Sequence, residues 1–239
     1  MEPIGESSPH FRARMAGVFC ALMFVSGGVA TFARRGLIVG GDAATTAANI
    51  LAHPSMYVLG FAGDLLVIAT YVAVVGLFYR LFKPVNRSVS LIAAFFGLMG
   101  CAIQASGSVF EIAPLTVLGG ARYLGVFNVQ QLQALAYMFL KLYSQAYGIA
   151  IVFFAFFGLL TGYLVFKSTF LPRILGGLMM LAGLSWLTFL WPPFAAKYFP
   201  YILASAFGEG LLYLWLLVKG VDAERWKAQA DAARIRDPV

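Results

Sequence analysis

The feature that most constrains this chain is a series of six apolar segments, each about as long as a bilayer is thick. They run from about 15–33, 56–81, 89–110, 138–166, 171–191 and 198–218. A helix needs ~20 apolar residues to cross the hydrocarbon core. Of 239 residues, 61% are hydrophobic and 11% are charged, which is too apolar for a soluble domain. The sequence therefore predicts an all-α polytopic membrane helix bundle of about six transmembrane helices, embedded in the lipid bilayer.

The basic residues predict the orientation of the bundle, because cytoplasmic loops carry an excess of Lys and Arg. Of 17 such residues, the larger group falls on the side of both termini: Arg12, Arg14, Arg80, Lys83, Arg87, Lys167, Arg173, Lys219, Arg225, Lys227, Arg234 and Arg236. The opposite side holds Arg34, Arg35, Arg122, Lys141 and Lys197. Both termini are therefore predicted to be cytoplasmic, with one transmembrane domain (1–221) and a short cytoplasmic tail (222–239). No basic run of the kind that binds nucleic acid occurs.

Two long connections lie on the side opposite the termini, and both are predicted to contain helical structure. In the first, Asp42 can cap a short amphipathic helix, 43–53, which Pro54 ends. This helix is expected to lie on the membrane or over the bundle. In the second connection, Asn128 can begin a helix that continues through the fourth span to Lys167. Such a helix would be about twice as long as the hydrocarbon is thick.

Two carboxylates, Asp64 and Glu209, lie inside segments that otherwise predict membrane-spanning helices. A charged group at this depth is costly, so it is usually turned inward, paired or protonated, and often functional. Polar stripes on four spans reach the same half of the bilayer, opposite the termini. The sequence therefore predicts an outward-facing polar pocket. Its candidate ligand-binding residues are Asp64, Glu209, Gln104, Ser108, Lys141 and Gln145.

These residues also have a structural interpretation. Lys141 is the cation that the sequence places at the depth of the two acids, and an ion pair between it and Asp64 or Glu209 would hold helices together. The amides and hydroxyls of the group can likewise form hydrogen bonds between helices. Whether the two acids are ionised, or paired with Lys141, does not follow from the sequence.

The sequence identifies no cofactor. The metal-ligand candidates are His53, Asp64 and Glu209, although a histidine before a proline is commonly just the end of a helix. HExxH, GxSxG, Walker and CxxC motifs are all absent, which argues against zincin, α/β-hydrolase and ATP-driven chemistry. Gly158 and Gly162, four residues apart, permit close helix packing within the bundle or in a homodimer.

Four stretches of the chain resemble an uncharacterised bacterial membrane family, domain of unknown function 4386. They are GDAATTAANILAH (41–53), LFKPVNRSVSLIAAFF (81–96), GYLVFKSTFLPRILGGLMMLAG (162–183) and GEGLLYLWLLVKGV (208–221). The likeness covers about 13–221. It implies a multi-span bacterial inner-membrane protein, but no established activity or catalytic residue comes with it.

Three functions remain open at this point. The first is the binding or translocation of a small cationic or amphipathic solute, with one carboxylate taking up a proton. The second is a membrane-embedded enzyme acting on a lipid-like substrate, in which the carboxylates do acid–base work or hold a metal. The third is a structural or assembly subunit of a larger membrane complex. The absence of a broken helix or an inverted repeat in the sequence argues against a carrier.

Overall fold

The computed structural model describes residues 8–236, so positions 1–7 and 237–239 of the two predicted domains lie outside it. Within these residues the chain is helical and has no β-strand. The helices are α1 Pro9–Ala33, α2 Ala43–Ala52, α3 Pro54–Phe82, α4 Arg87–Leu118, α5 Val129–Lys167, α6 Arg173–Trp186, α7 Pro192–Ser205, α8 Phe207–Val218 and α9 Ala223–Arg236. Six segments are long and apolar enough to cross a membrane, which confirms the predicted all-α polytopic fold.

Both predicted helix starts in the long connections are confirmed. The Asp42 carboxylate accepts a hydrogen bond from the Thr45 backbone at 2.9 Å and begins α2. Asn128 and Gln131 exchange side-chain to backbone hydrogen bonds, each of 2.9 Å, and form a capping box that begins α5. Helix α5 then continues unbroken for 39 residues. At the helical rise this is ~58 Å, so α5 extends well beyond the hydrocarbon core.

The spanning helices form a closed ring in chain order. Helix α1 packs on α3, α3 on α4, α4 on α5, α5 on α6, α6 on α8, and α8 returns to α1. The interior of the ring is filled by large apolar side chains, including Phe78, Phe157, Leu164, Leu212 and Leu216, all at most 2% exposed. Because lipid covers the outside, many leucines and phenylalanines on the outer faces remain exposed.

Glycines allow the backbones of α5 and α6 to touch. A Cβ atom on Gly162 would lie 2.7 Å from the Met180 nitrogen and 2.9 Å from the Gly176 oxygen. A Cβ atom on Gly176 would be 2.5 Å from the Phe166 nitrogen. Close backbone approach of this kind is how small residues join helices in lipid. Gly158 and Gly162 therefore lie at the contact between α5 and α6, within the bundle.

The last two spans are not continuous α-helices. Helix α6 ends at Trp186 and continues as a 3-10 turn, Leu187–Leu190. The sixth span is interrupted at Ala206, between α7 and α8. The expectation that no helix is broken is therefore wrong. The physical reason lies in Gly208 and Gly210, which lower helix propensity just after the break, and Gly208 also lies against the backbone of Leu178 on α6.

The two ends of the bundle differ. At one end, which we call the tail end, α1 begins, α3 and α8 end, and α9 is docked. The His10 imidazole lies 3.2 Å from the Val221 carbonyl, and the Trp226 indole donates a 2.8 Å hydrogen bond to the Leu81 carbonyl. At the other end, α2 lies over the bundle and packs on α3, α4 and α5. We call this the α2 end.

Candidate functional site

A buried ionic cluster joins four helices below α2. Arg34, directly after α1, donates hydrogen bonds to Asp64 on α3 and to Glu111 on α4. The Tyr143 hydroxyl, from α5, donates to the same Asp64 oxygen at 3.0 Å. The Tyr57 hydroxyl donates to the backbone carbonyl of Glu111. We refer to these five residues as the Arg34 cluster.

The close packing of α1 on α3 explains how Arg34 reaches Asp64. A Cβ atom on Gly60 would lie 2.8 Å from Arg34 Cγ, so this glycine leaves the space that the arginine side chain occupies. A Cβ atom on Gly63 would lie 2.9 Å from the Ala30 Cβ. The absence of a side chain at Gly63 therefore lets α1 and α3 approach closely. Gly60 and Asp64 are four residues apart and share a helix face. The arginine therefore lies along α3 and meets the carboxylate one turn further on.

Glu111 is the most deeply buried acid of the described chain, at 1% exposure. Its Oε1 accepts from Arg34, whereas its Oε2 is buried and has no hydrogen-bond partner in residues 8–236. Leaving a buried polar atom unpaired costs about 1–3 kcal/mol. Two carboxylates share one guanidinium, so the cluster carries one net negative charge when both acids are ionised. In that state the cluster is one positive charge short of neutrality.

Helix α2 and the turn before it cover the cluster. Ile50 is fully buried and packs with Leu37, Tyr57 and Leu140 in a small apolar layer above the ionic groups. The backbone N–H of Gly41 donates to the Tyr137 hydroxyl at 2.6 Å and ties the turn to α5. With this cover in place, 18% of the Arg34 side chain, 11% of the Asp64 side chain and 2% of the Glu111 side chain remain accessible.

Electrostatics agree with this arrangement. Burial by itself would lower the pKa of the Arg34 guanidinium, but the hydrogen bond to Asp64 and the charges of both acids raise it above its ordinary value. Arg34 is therefore a permanent cation in the cluster. Above it, hydrogen bonds from the Thr45 side chain and backbone lower the pKa of the exposed Asp42 carboxyl, which caps α2 in its charged form.

Of the predicted ligand-binding residues, Asp64, Gln104 and Ser108 are buried on α3 and α4. Gln104 and Ser108 are buried on the face of α4 that also carries Glu111, and the Ser108 hydroxyl donates to the Gln104 carbonyl at 3.0 Å. Lys141 and Gln145 are instead exposed on α5. The Lys141 ammonium lies 5.2 Å from the centre of the Tyr137 ring.

The cation of the site is therefore Arg34, and the expectation that Lys141 is the cation at the depth of the acids is wrong. The physical reason is reach. The Arg34 backbone lies at the end of α1, but its long side chain extends back along the helix interface. Depth along the helix axis, counted from the backbone, misplaces the charge of such a residue.

Glu209 belongs to a different part of the ring. It lies in the first turn of α8, directly after the break, and accepts a 2.9 Å hydrogen bond from the Trp186 indole at the end of α6. Within residues 8–236 it forms no salt bridge. His53 is exposed at the junction of α2 and α3. No three His, Cys, Asp or Glu side chains of the described chain come close enough to hold a metal.

Glu111 shares the polar face of α4 with Gln104 and Ser108. The site predicted from the sequence did not include Glu111, Arg34 or Tyr143. The signal for Glu111 was its spacing, three residues after Ser108. Arg34 was visible as a basic residue on the side where basic residues are rare. Tyr143 gave no signal, because tyrosines are common at membrane interfaces.

Comparison with known proteins gives a family but no activity. The chain matches the family described as "Domain of unknown function (DUF4386)" over residues 15–220. It belongs to that family. An uncharacterized protein of Archaeoglobus fulgidus is 26% identical over 167 residues, which are 70% of this chain and 86% of that relative. No solved structure matches the chain.

Proposed function

We propose that this protein binds a small cationic or amphipathic solute at the Arg34 cluster and exchanges it for a proton. The observation that carries the proposal is the charge balance of the cluster. Asp64 and Glu111 share the one guanidinium of Arg34, and Glu111 Oε2 has no partner among the described residues. An excess negative charge away from water favours the uptake of one positive charge. That charge is either a proton or the cationic group of the solute, so the two compete.

Access to the cluster would require α2 to move. The segment that joins Arg34 to α2 contains Gly36 and Gly41, both in the left-handed backbone region, with φ of 80° and 83°. Because these glycine turns interrupt the helix, α2 is joined to α1 by a loop and can move separately from it. The apolar layer around Ile50 is small, so moving α2 away from the bundle exposes little apolar surface. We propose that displacement of α2 admits the solute.

We further propose that the α2 end faces outward in a bacterial inner membrane and that both termini are cytoplasmic. The support is the excess of Lys and Arg at the tail end, which matches the rule that positive charges remain inside. The solute would then enter from the outer face. Buried apolar side chains fill the interior of the ring of helices, so any translocation needs a second conformation.

Tetraphenylphosphonium, an amphipathic cation, is a direct probe. Its binding to the detergent-purified full chain is measured by calorimetry in weakly buffered solution at several pH values. We expect release of about one proton per cation bound, and weaker binding as the pH falls, because both compete for one charge. In Glu111→Gln the excess charge is gone, so we expect affinity to fall about tenfold or more and proton release to stop. The exposed Glu224→Gln on α9 is the matched control.

Binding without proton release, or full affinity in Glu111→Gln, would contradict the proposal. If no cation binds while Glu111→Gln and Asp64→Asn only lower the unfolding temperature, the cluster is structural. That result would favour the assembly-subunit function.

A further inference from the structure

A polar cavity at the tail end, far from the Arg34 cluster, has the chemistry of an anion site. Its volume is about 300 Å³. It lies between α5, the turn from α3 to α4, and the docked helix α9. The residues around it are Pro84, Val85, Asn86, Tyr163, Lys167, Gln229 and Ala232. No acidic side chain of the described chain lines it.

Backbone contacts fix the orientation of both amides at this cavity. The Asn86 side-chain oxygen accepts a 3.0 Å hydrogen bond from the Val89 backbone N–H. The Gln229 side-chain oxygen accepts from the Thr169 backbone N–H at 3.0 Å and from the Thr169 hydroxyl at 2.9 Å. A backbone N–H can only donate, so the atom that receives it must be the oxygen. The NH₂ groups of Asn86 and Gln229 are left as donors, and neither has an acceptor in residues 8–236.

Lys167 supplies the charge of the cavity. Its ammonium lies 5.9 Å from the centre of the Tyr163 ring and forms no salt bridge with a carboxylate of the described chain. Helix α4 also begins here, with Asn86 as its cap, so the positive end of its dipole points toward the cavity. One cation, two amide donors and a helix N-terminus together favour an anion.

The docked tail completes this cavity. Trp226 of α9 packs against the main core and donates to the Leu81 carbonyl, while Gln229 reaches the end of α5 through Thr169. The Asp222 carboxylate accepts from the Arg225 backbone at 3.0 Å and caps α9. These contacts hold one wall of the cavity in place. Helix α9 is rich in charged residues and alanine and has little apolar surface to bury. Its docking is therefore not explained by the need to remove apolar surface from water.

We propose that this cavity binds a phosphate group, supplied by the headgroup of an anionic phospholipid. Tyr163 is 39% exposed and the neighbouring Phe166 is 41% exposed, so the side of α5 next to the cavity faces lipid at the level of the headgroups. Anionic lipids are enriched in the cytoplasmic leaflet, where basic pockets between helices bind their headgroups. The site does not depend on the solute function proposed above, but it rests on the proposed orientation with the tail end in the cytoplasm.

Native mass spectrometry of the full chain, mixed with phosphatidylglycerol or with phosphatidylcholine, tests the assignment. We expect one phosphatidylglycerol to be retained in preference to phosphatidylcholine. In Lys167→Gln retention should fall about tenfold, as expected for the loss of one charge-assisted contact. Lys197→Gln is the matched control, because Lys197 likewise lies beside a tyrosine, 5.4 Å from the centre of the Tyr198 ring, but at the α2 end.

A second variant, which should keep the fold intact, separates loss of lipid binding from loss of folding. Gln229→Glu keeps the oxygen that Thr169 bonds and replaces the NH₂ donor by a negative charge, so it should weaken lipid retention with little change in the unfolding temperature. Binding of inorganic phosphate without retention of lipid would support the phosphate site and assign it to a free anion. Equal retention of the two lipids with no phosphate binding, or equal losses in Lys167→Gln and Lys197→Gln, would overturn the proposal.

Discussion

The Arg34 cluster and the Glu209 site, which consists of Glu209 and the Trp186 indole, stabilise their carboxylates in two different ways. Each places a carboxylate inside a membrane-spanning segment. In the Arg34 cluster, Asp64 and Glu111 contact a permanent cation, and side chains from four helices take part. At the Glu209 site, the partner is the neutral Trp186 indole, and two helices meet where both are interrupted.

The difference shows what each acid depends on. Arg34 balances only one of the two acids, so removing the arginine leaves two unpaired carboxylates in a low-dielectric interior. Removing the Asp64 charge leaves Arg34 paired with Glu111 but weakens the hydrogen bonds that Arg34 and Tyr143 donate to Asp64. Glu209 has a hydrogen-bond donor and the N-terminus of α8, which favours a negative charge but does not require one. Neutralisation should therefore be disruptive at the Arg34 cluster and tolerated at Glu209. Four predictions test this contrast, in order of decreasing effect.

The largest effect is expected from Arg34→Gln. This change leaves two buried carboxylates without a cation, and breaking such a pair by removing one partner costs about 3–5 kcal/mol. The measurement is the free energy of unfolding in mixed detergent micelles. Arg35→Gln is the control, because Arg35 is exposed and adjacent. Adding Glu111→Gln to Arg34→Gln should recover part of the loss, and no recovery would contradict the charge-balance account.

The second prediction sets the two acids against each other directly. Asp64→Asn removes the charge that faces Arg34 and should cost about 2–3 kcal/mol, as for hydrogen bonds to charged groups. Glu209→Gln keeps an oxygen that can accept from Trp186, so its cost should be about 1 kcal/mol or less. Unfolding of both variants under the same conditions provides the comparison. Equal costs would mean that the two acids are stabilised in the same way.

The third prediction concerns the donor at the Glu209 site. Trp186→Phe keeps an aromatic ring but removes the N–H that bonds Glu209, which should cost about 1–3 kcal/mol. The loss should shrink in the Glu209→Ala background, where no buried acceptor remains. Trp215→Phe, on the partly exposed face of α8, serves as the control. Coupling between Trp186 and Glu209 in this double-mutant cycle is the quantity to measure.

Much of the fold was predictable because membrane spans are long and follow simple rules of composition. Six spans and the caps Asp42 and Asn128 follow from apolar length and from residues that bond backbone N–H groups. The break at Ala206 was not predicted, although Gly208 and Gly210 marked the place. Apolar length alone cannot distinguish a continuous span from two helices that meet inside the bilayer.

The site was less predictable than the fold, for a reason that Arg34 and Glu209 illustrate. Helical spacing gives the face and approximate depth of a residue, so Asp64, Gln104 and Ser108 were correctly placed inside the bundle. It does not give the order of helices around the ring, which separates Glu209 from Asp64. Nor does it give the reach of a long side chain, so Lys141 was preferred to Arg34. Contacts between helices determine both the order of the helices and the position of the cation.

The smallest effect is expected from Gly60→Ala, which tests the geometry of the cluster rather than its charge. The added Cβ would lie 2.8 Å from Arg34 Cγ, so the arginine side chain must shift while its backbone stays in place. Alanine improves helix propensity by about 1 kcal/mol, which offsets part of the strain. The control is Gly76→Ala on the same helix, where nothing lies within 4 Å and only the propensity gain applies. The difference between the two variants isolates the crowding of Arg34. If Gly60→Ala stabilises the protein as much as Gly76→Ala does, the arginine has another route to Asp64, and the close packing of α1 on α3 is not what places the cation.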